Sequence, residues 1–123
     1  QHIGAYKIKT AAGTFVAPTL ESSTAAAGSV KLAKDTDFRV SITNAPGKDA
    51  YPISSYTWLL VKVDNKDGAK AKLIRDFLSW MITDEAQNMA RELQYAPLPA
   101  DVRALIAERI RTLRADGKPI AMN

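Results

Sequence analysis

The chain has 123 residues, 46% hydrophobic and 24% charged, with a net charge of +4. Length of this order supports one core rather than two, and the composition excludes a disordered polymer. Cysteine is absent, which excludes a disulfide framework, thiolate metal sites and a thiol nucleophile.

Ala5-Tyr6-Lys7-Ile8-Lys9 alternates weakly, Ala12-Gly13 supplies a turn, and Thr14-Phe15-Val16 resumes extended structure, which predicts a hairpin over 4–16. Pro18-Thr19-Leu20-Glu21 opens a helix, in which Pro18 suits the first turn and Thr19 can cap if the start falls one residue later. Gly28 is placed to end that helix in the left-handed conformation. Phe38-Arg39-Val40-Ser41-Ile42 alternates strictly and predicts a half-buried strand. Asn44-Ala45-Pro46-Gly47-Lys48-Asp49 is a turn cluster. The strongest strand signal runs over 51–63. It is polar and mixed up to Thr57, and nearly all apolar from Trp58 onward, as in a strand covered on both faces. Its run Trp58-Leu59-Leu60-Val61 is the longest uninterrupted apolar stretch and is far short of a membrane span. Asp64-Asn65-Lys66-Asp67-Gly68 ends it as a turn.

Three helices are expected to follow. The first carries a stripe of Ala69, Leu73, Phe77 and Met81, extended by Ile74 and Leu78 and widened by Trp80. Thr83-Asp84-Glu85 caps the second, on which Ala86, Met89, Ala90 and Leu93 follow helical spacing. The segment Tyr95-Ala96-Pro97-Leu98-Pro99 breaks the pattern, because each proline disfavours helix at the residue before it. The third helix is predicted from about Pro99 to Ala115, with Val102, Leu105, Ile106, Ile110 and Leu113 on one face, and Asp116-Gly117-Lys118-Pro119 terminating it.

Catalytic chemistry is hard to assemble from these residues. His2 is the one histidine and sits at the terminus, so neither a Ser-His-Asp triad nor a transition-metal site can be built. Asp35 and Asp37 have a spacing that resembles calcium ligands, but no glycine turn or bidentate Glu follows. Asp84 and Glu85 are adjacent on a helix start, where compensation of the helix dipole explains them better than acid–base work. No phosphate-cradling glycine loop occurs. The helix starts at Thr19 and Thr83 offer free N–H groups, yet each has an acid in its first turn (Glu21; Asp84 and Glu85), so capping is the better reading. Trp58 and Trp80 sit in apolar patterns, and core packing is expected for both rather than a sugar pocket. The densest basic group, Arg103, Arg109, Arg111, Arg114 and Lys118, is interleaved with Asp101, Glu108 and Asp116 and has no aromatic among it. It reads as a solvated face, not a nucleic-acid footprint.

Four motifs carry a resemblance. Asp49-Ala50-Tyr51-Pro52-Ile53 with Thr57-Trp58-Leu59-Leu60 resembles a strand of the periplasmic phosphate-binding proteins of phosphate-specific ABC transporters. Phe77-Leu78-Ser79-Trp80, Tyr95-Ala96-Pro97-Leu98-Pro99 and, upstream, Gly13-Thr14-Phe15-Val16-Ala17-Pro18-Thr19-Leu20-Glu21 are similar to further stretches of the same family, in the same order. The resemblance covers nearly the whole chain and corresponds to the C-terminal third of those two-lobed proteins. It implies an α/β fold that is part of the type II periplasmic-binding fold: a hinge strand plus three C-terminal helices. By that analogy residues 1–52 belong to the second lobe, 53–57 to the hinge strand, and 58–123 to the C-terminal portion of the first lobe.

The family's phosphate ligands come from earlier segments, including an Arg followed by Ser-Gly-Thr. No Ser-Gly-Thr occurs here, so no ligand-binding, catalytic or metal residue carries over, and no cofactor is implied. The resemblance implies a piece of an extracytoplasmic, periplasmic phosphate-binding protein that is not an enzyme. The piece contributes lobe packing and a hinge. Its implied partners are inorganic phosphate and the transporter's membrane subunits in the intact protein, and the missing lobe or a second copy of the chain. The beginning, Gln1-His2-Ile3-Gly4, lacks Met, a cationic stretch and an apolar segment, and is read as that of a processed or cropped chain without its signal peptide. A stand-alone dimerising module derived from that fold, without phosphate binding, is the alternative.

Overall fold

A computed structural model describes residues 4–120. The N-terminal hairpin forms as its turn chemistry predicts. Strand β1 (Ile8–Lys9) pairs antiparallel with β2 (Phe15–Val16). Gly13 takes φ +88°, which only glycine adopts without strain, and the Thr10 and Thr14 hydroxyls meet at 2.8 Å across the turn. The Thr14 hydroxyl also donates to the Lys48 carbonyl, which ties the hairpin to the loop that precedes residue 50.

Helix α1 (Leu20–Gly28) starts at Thr19, whose hydroxyl accepts from the Ser22 N–H at 3.1 Å, while Ser22 Oγ accepts from the Thr19 N–H at 2.9 Å. This reciprocal box satisfies two otherwise orphaned donors. Gly28 does not end the helix in the left-handed region. It is the last helical residue, and Ser29 caps. A Cβ there would meet the Pro99 ring at 3.6 Å, an ordinary contact, so the position does not require glycine.

Residues 38–42 form no strand, although their alternation is realised in burial. Ile42 is buried, Phe38 and Val40 are half-buried, and Arg39 and Ser41 are exposed. A ladder is blocked at its first residue, where Phe38 adopts φ +62°. The stretch 51–63 also forms no ladder among the described residues. Pro52 and Ser54 are buried and Tyr56 half-buried, but from Trp58 the apolar residues face outward. A strand requires neighbours for its N–H and C=O groups, and among the described residues a neighbouring strand reaches this stretch only at its end, where the Arg114 N–H donates to the Val63 carbonyl.

The only larger sheet among the described residues lies where sequence reasoning placed a turn (64–68), the end of the last helix (114–115) and its terminating segment (116–119). Strand β3 (Asp64–Asn65) pairs parallel with β4 (Arg114–Ala115), which pairs antiparallel with β5 (Lys118–Pro119). Asp116 and Gly117, at φ +50° and +75°, form the two-residue turn between β4 and β5. Left-handed angles at both central residues are what a right-twisted hairpin needs. The Gly117 N–H also donates to the Asp64 carboxylate at 3.0 Å.

Three helices lie between β3 and β4. Helix α2 (Gly68–Met81) is capped by the Asp67 carboxylate, α3 (Asp84–Glu92) by the Thr83 hydroxyl, and α4 (Ala100–Ile110) begins after Pro99. Helix α4 is shorter than its periodicity predicts. The chain turns after Ile110 so that the Arg114 N–H can reach the Val63 carbonyl at 2.7 Å. Leu113 stays buried, although it lies outside the helix. Helix α2 packs on α3, α4, β3 and β4, and α1 touches α4.

The core is thin. Ala26, Ala27, Ile42, Ala45 and Ala50 form its main cluster, with Val30 and Tyr56 packed against it. Among the described residues no large side chain is fully buried.

Two expectations follow. Gly117→Ala leaves space for its Cβ but forces a left-handed alanine, so it should destabilise the chain by about 1 kcal/mol in denaturant titration. Gly28→Ala meets only ordinary contact with Pro99 and should be neutral or stabilise by up to about 1 kcal/mol.

Candidate functional site: uncovered apolar faces and a neutral cleft

Helix α2 turns part of its predicted stripe outward: Ala69, Leu73, Phe77 and Trp80 are exposed, whereas Ile74, Leu78 and Met81 are half-buried. The residues that face the protein are Ala71, Ile74, Arg75 and Leu78, of which Ala71 and Arg75 are buried. Arg75 takes an inward position because its guanidinium reaches the Asp76 carboxylate through Nε at 2.9 Å and Nη2 at 2.5 Å. Lys72 adds a third contact to Asp76 at 2.6 Å, one helical turn away. The Lys72 hydrogen bond first, and the Arg75 contacts second, hold the Asp76 carboxyl below the usual carboxylate range.

Opposite that face, Leu73 is 69% exposed, Phe77 53% and Trp80 40%. The Phe77 and Trp80 rings stack with centroids 6.0 Å apart. Trp80 is therefore not a core residue. Neither is Trp58, which is 47% exposed, with its ring edge-on to Tyr56 at 6.3 Å and its indole N–H on the Phe38 carbonyl at 2.9 Å. Leu59 and Val63 are exposed, and Leu60 is 99% exposed. Two apolar surfaces thus stand open, one along 58–63 and one on the outer side of α2. Scattered single leucines would need no explanation, but runs of this size mark contact surfaces.

A cleft of about 230 Å³ opens between α1, residues 53–56 and Ala96–Pro97. Its polar wall groups are the hydroxyls of Ser23, Thr24, Ser54, Ser55 and Tyr56. The Thr24 hydroxyl donates to the Pro97 carbonyl at 2.8 Å, and the Ser54 hydroxyl to the Tyr51 carbonyl at 2.8 Å. Burial, assisted by the Asp101 charge, pushes the Tyr56 phenol up, so the cleft carries no ionised side chain at neutral pH. A dehydrated anion held there would have hydroxyls but no cationic partner.

The other residues singled out by sequence act locally. Thr19 and Thr83 are caps. Glu21 pairs with Arg91 at 2.9 Å and joins α1 to α3. Asp84 pairs with Arg103 at 2.6 Å, which fastens α3 to α4. Glu85 lies beside Asp84 in the first turn of α3, where it favours the helix dipole. Asp37 binds the Arg39 side chain. In the basic group, Arg111 pairs with Glu108, and Arg114 donates to the Gly117 carbonyl. His2 lies outside the described residues. Among the described residues no three His, Cys, Asp or Glu side chains come together to hold a metal, and no helix is long and apolar enough to cross a membrane. The outward turn of α2 is what sequence reasoning missed. The buried Arg75 within an apolar window was its one visible sign.

No protein-family model matches the chain. Individual proteins do. It is 38% identical over 95 residues to the phosphate-binding protein PstS of Xylella fastidiosa (strain 9a5c), an alignment that covers 77% of this chain and 26% of the relative. It is 33% identical over 101 residues to PstS of Haemophilus influenzae, covering 82% of the chain and 30% of the relative. Against PstS of Methanocaldococcus jannaschii the identity is 38% over 102 residues, with 73% and 26% covered. The chain thus spans less than a third of the length of each of these relatives. Along the greater part of its own sequence, the chain belongs to the family of PstS phosphate-binding proteins.

Proposed function

We propose that this chain is the C-terminal part of an extracytoplasmic phosphate-binding protein that serves an ABC transporter, and that its share of the work is lobe packing and a hinge. The observation that carries this reading is the match to PstS proteins along most of the chain and less than a third of theirs. In the intact protein, phosphate would be held by segments outside this chain, and the transporter's membrane subunits would dock on the assembled lobes. The fold would be the type II periplasmic-binding fold, in two lobes. Residues 1–52 contribute to the second, 53–57 form the hinge strand, and 58–123 contribute to the first. The chain is a binding component and not an enzyme on this reading.

The physical support is the uncovered apolar surface. Residues 58–63 have strand composition and, among the described residues, meet a neighbouring strand only at Val63, and Leu73, Phe77 and Trp80 are exposed. Residues absent from this chain but present in its relatives would cover both. The cluster of Ala26, Ala27, Ile42, Ala45 and Ala50 lies before the proposed hinge and the assembly of α2, α4 and the three-stranded sheet after it, and α1 is joined to α3 and α4 across it.

The same exposed surface would serve contact between two copies, which is the second reading. Leu60 is its most exposed point. Leu60→Lys should lower self-association in sedimentation while leaving the free energy of unfolding within about 0.5 kcal/mol of the parent, because the side chain is 99% exposed.

Calorimetry tests the main reading. The chain alone should show no heat of phosphate binding. Mixed with a polypeptide that corresponds to the rest of a PstS relative, it should form a complex that binds phosphate. Micromolar phosphate binding by the chain alone would overturn the placement of the ligands elsewhere. Failure of the mixture to associate, with tight dimerisation of the chain, would favour the second reading.

Lowering the pH should weaken the chain in part through Asp76. Its carboxyl is depressed by Lys72 and Arg75, so its stabilising contribution is present above the unfolded carboxyl's ordinary pKa of about 3.9 and is lost as pH falls below it. The stability difference between the parent and Asp76→Asn, measured by denaturant titration, should be largest near neutral pH and shrink as the pH is lowered through the depressed folded-state pKa of Asp76.

A further inference from the structure

Phe38 is a bulky residue at φ +62°, a region where such side chains rarely settle. Strain of this kind persists only where surrounding bonds over-determine it, and here they do. The Phe38 N–H donates to Thr36 Oγ1 at 3.0 Å. Its carbonyl accepts from the Val40 N–H at 2.9 Å and from the Trp58 indole N–H at 2.9 Å. Asp37 and Arg39 close the turn from either side, through an Arg39 N–H bond to Oδ1 at 3.0 Å and an Nε bond to Oδ2 at 2.6 Å.

Of these contacts only the one from Trp58 comes from outside the turn. Trp58 stands where the chain passes from polar to apolar, immediately after residues 53–57. The flipped peptide at Phe38 turns its carbonyl to meet the indole, and edge-on contact with Tyr56 steadies the ring. A Trp so exposed would not otherwise be fixed by burial. We infer that Trp58 and Phe38 form a strained latch, which pins the 53–58 segment to the 36–40 turn when the indole N–H is engaged. When it is disengaged, Phe38 relaxes to an ordinary backbone conformation. The latch gives the segment two states instead of a continuum. It rests on the reading above only for the description of 53–57 as a hinge.

Hydrogen exchange of the two tryptophan indoles, followed by NMR on the ¹⁵N-labelled full chain, tests the latch without phosphate or partner, so its outcome is separable from that of the calorimetry. The Trp58 indole N–H should exchange about tenfold more slowly than that of Trp80, as a hydrogen-bonded donor does. Phe38→Asn and Phe38→Val both remove the ring but differ in tolerance of the left-handed region. Asn should leave Trp58 protected, whereas Val should speed its exchange several-fold. Trp58→Phe keeps an aromatic beside Tyr56 and removes the donor, and should speed exchange of the Val40 amide, the other donor to the Phe38 carbonyl, about tenfold. Equal exchange of the two indoles, equal behaviour of the Asn and Val variants, or an unchanged Val40 amide in Trp58→Phe would each overturn the latch.

Discussion

Backbone satisfaction governs this molecule. Every buried peptide group must find a partner, and a segment written for the interior of a sheet can be stable there only if strands lie on both of its sides. Residues 58–63 carry that composition, and among the described residues no strand flanks them before Val63, whose carbonyl meets β4. The polypeptide therefore organises around what it can pair: a hairpin of two-residue strands near the start, a three-stranded patch near the end, and four helices, three of them with side-chain caps. The apolar residues left over face water, and they do so in groups.

The way α2 is oriented follows from the same constraint. With no sheet to cover Leu73, Phe77 and Trp80, the helix turns towards what is present, which is α4 and the small sheet. The face it presents there contains Ala71, Ile74, Leu78 and the aliphatic stem of Arg75. Arg75 can occupy that face because a long stem packs while its head reaches the neighbouring Asp76. A helix with apolar residues on two opposite sides belongs between two layers, and one of those layers is here.

Local signals were legible in the sequence, and tertiary ones were only partly so. Thr19 and Thr83 announced their helices, and Gly13 its turn, because each rule depends on a few adjacent residues. The strand over 38–42 was a misreading with a sound basis. Its alternation does sort residues into inner and outer, but Phe38's flipped peptide prevents a ladder. Asp116-Gly117 looked like the end of a helix and proved to be a hairpin turn, because β4 has β3 to pair with some fifty residues earlier in the chain. The two tryptophans looked interior because their neighbours are apolar. They are exposed because, among the described residues, no element packs over them, which no local pattern can register. The motifs shared with PstS proteins were readable directly from short runs such as Tyr95-Ala96-Pro97-Leu98-Pro99.

The alanine-lined cluster around Ala26, Ala27, Ala45 and Ala50 has a calorimetric consequence. Methyl groups hide little hydrocarbon from water, so opening them exposes little, and both the heat-capacity increment and the denaturant slope scale with that exposure. The melting of this polypeptide by itself should accordingly be broad and shallow, with a flat curve of free energy against temperature. Cooperativity would sharpen only on assembly with a partner that covers the tryptophan-bearing flank.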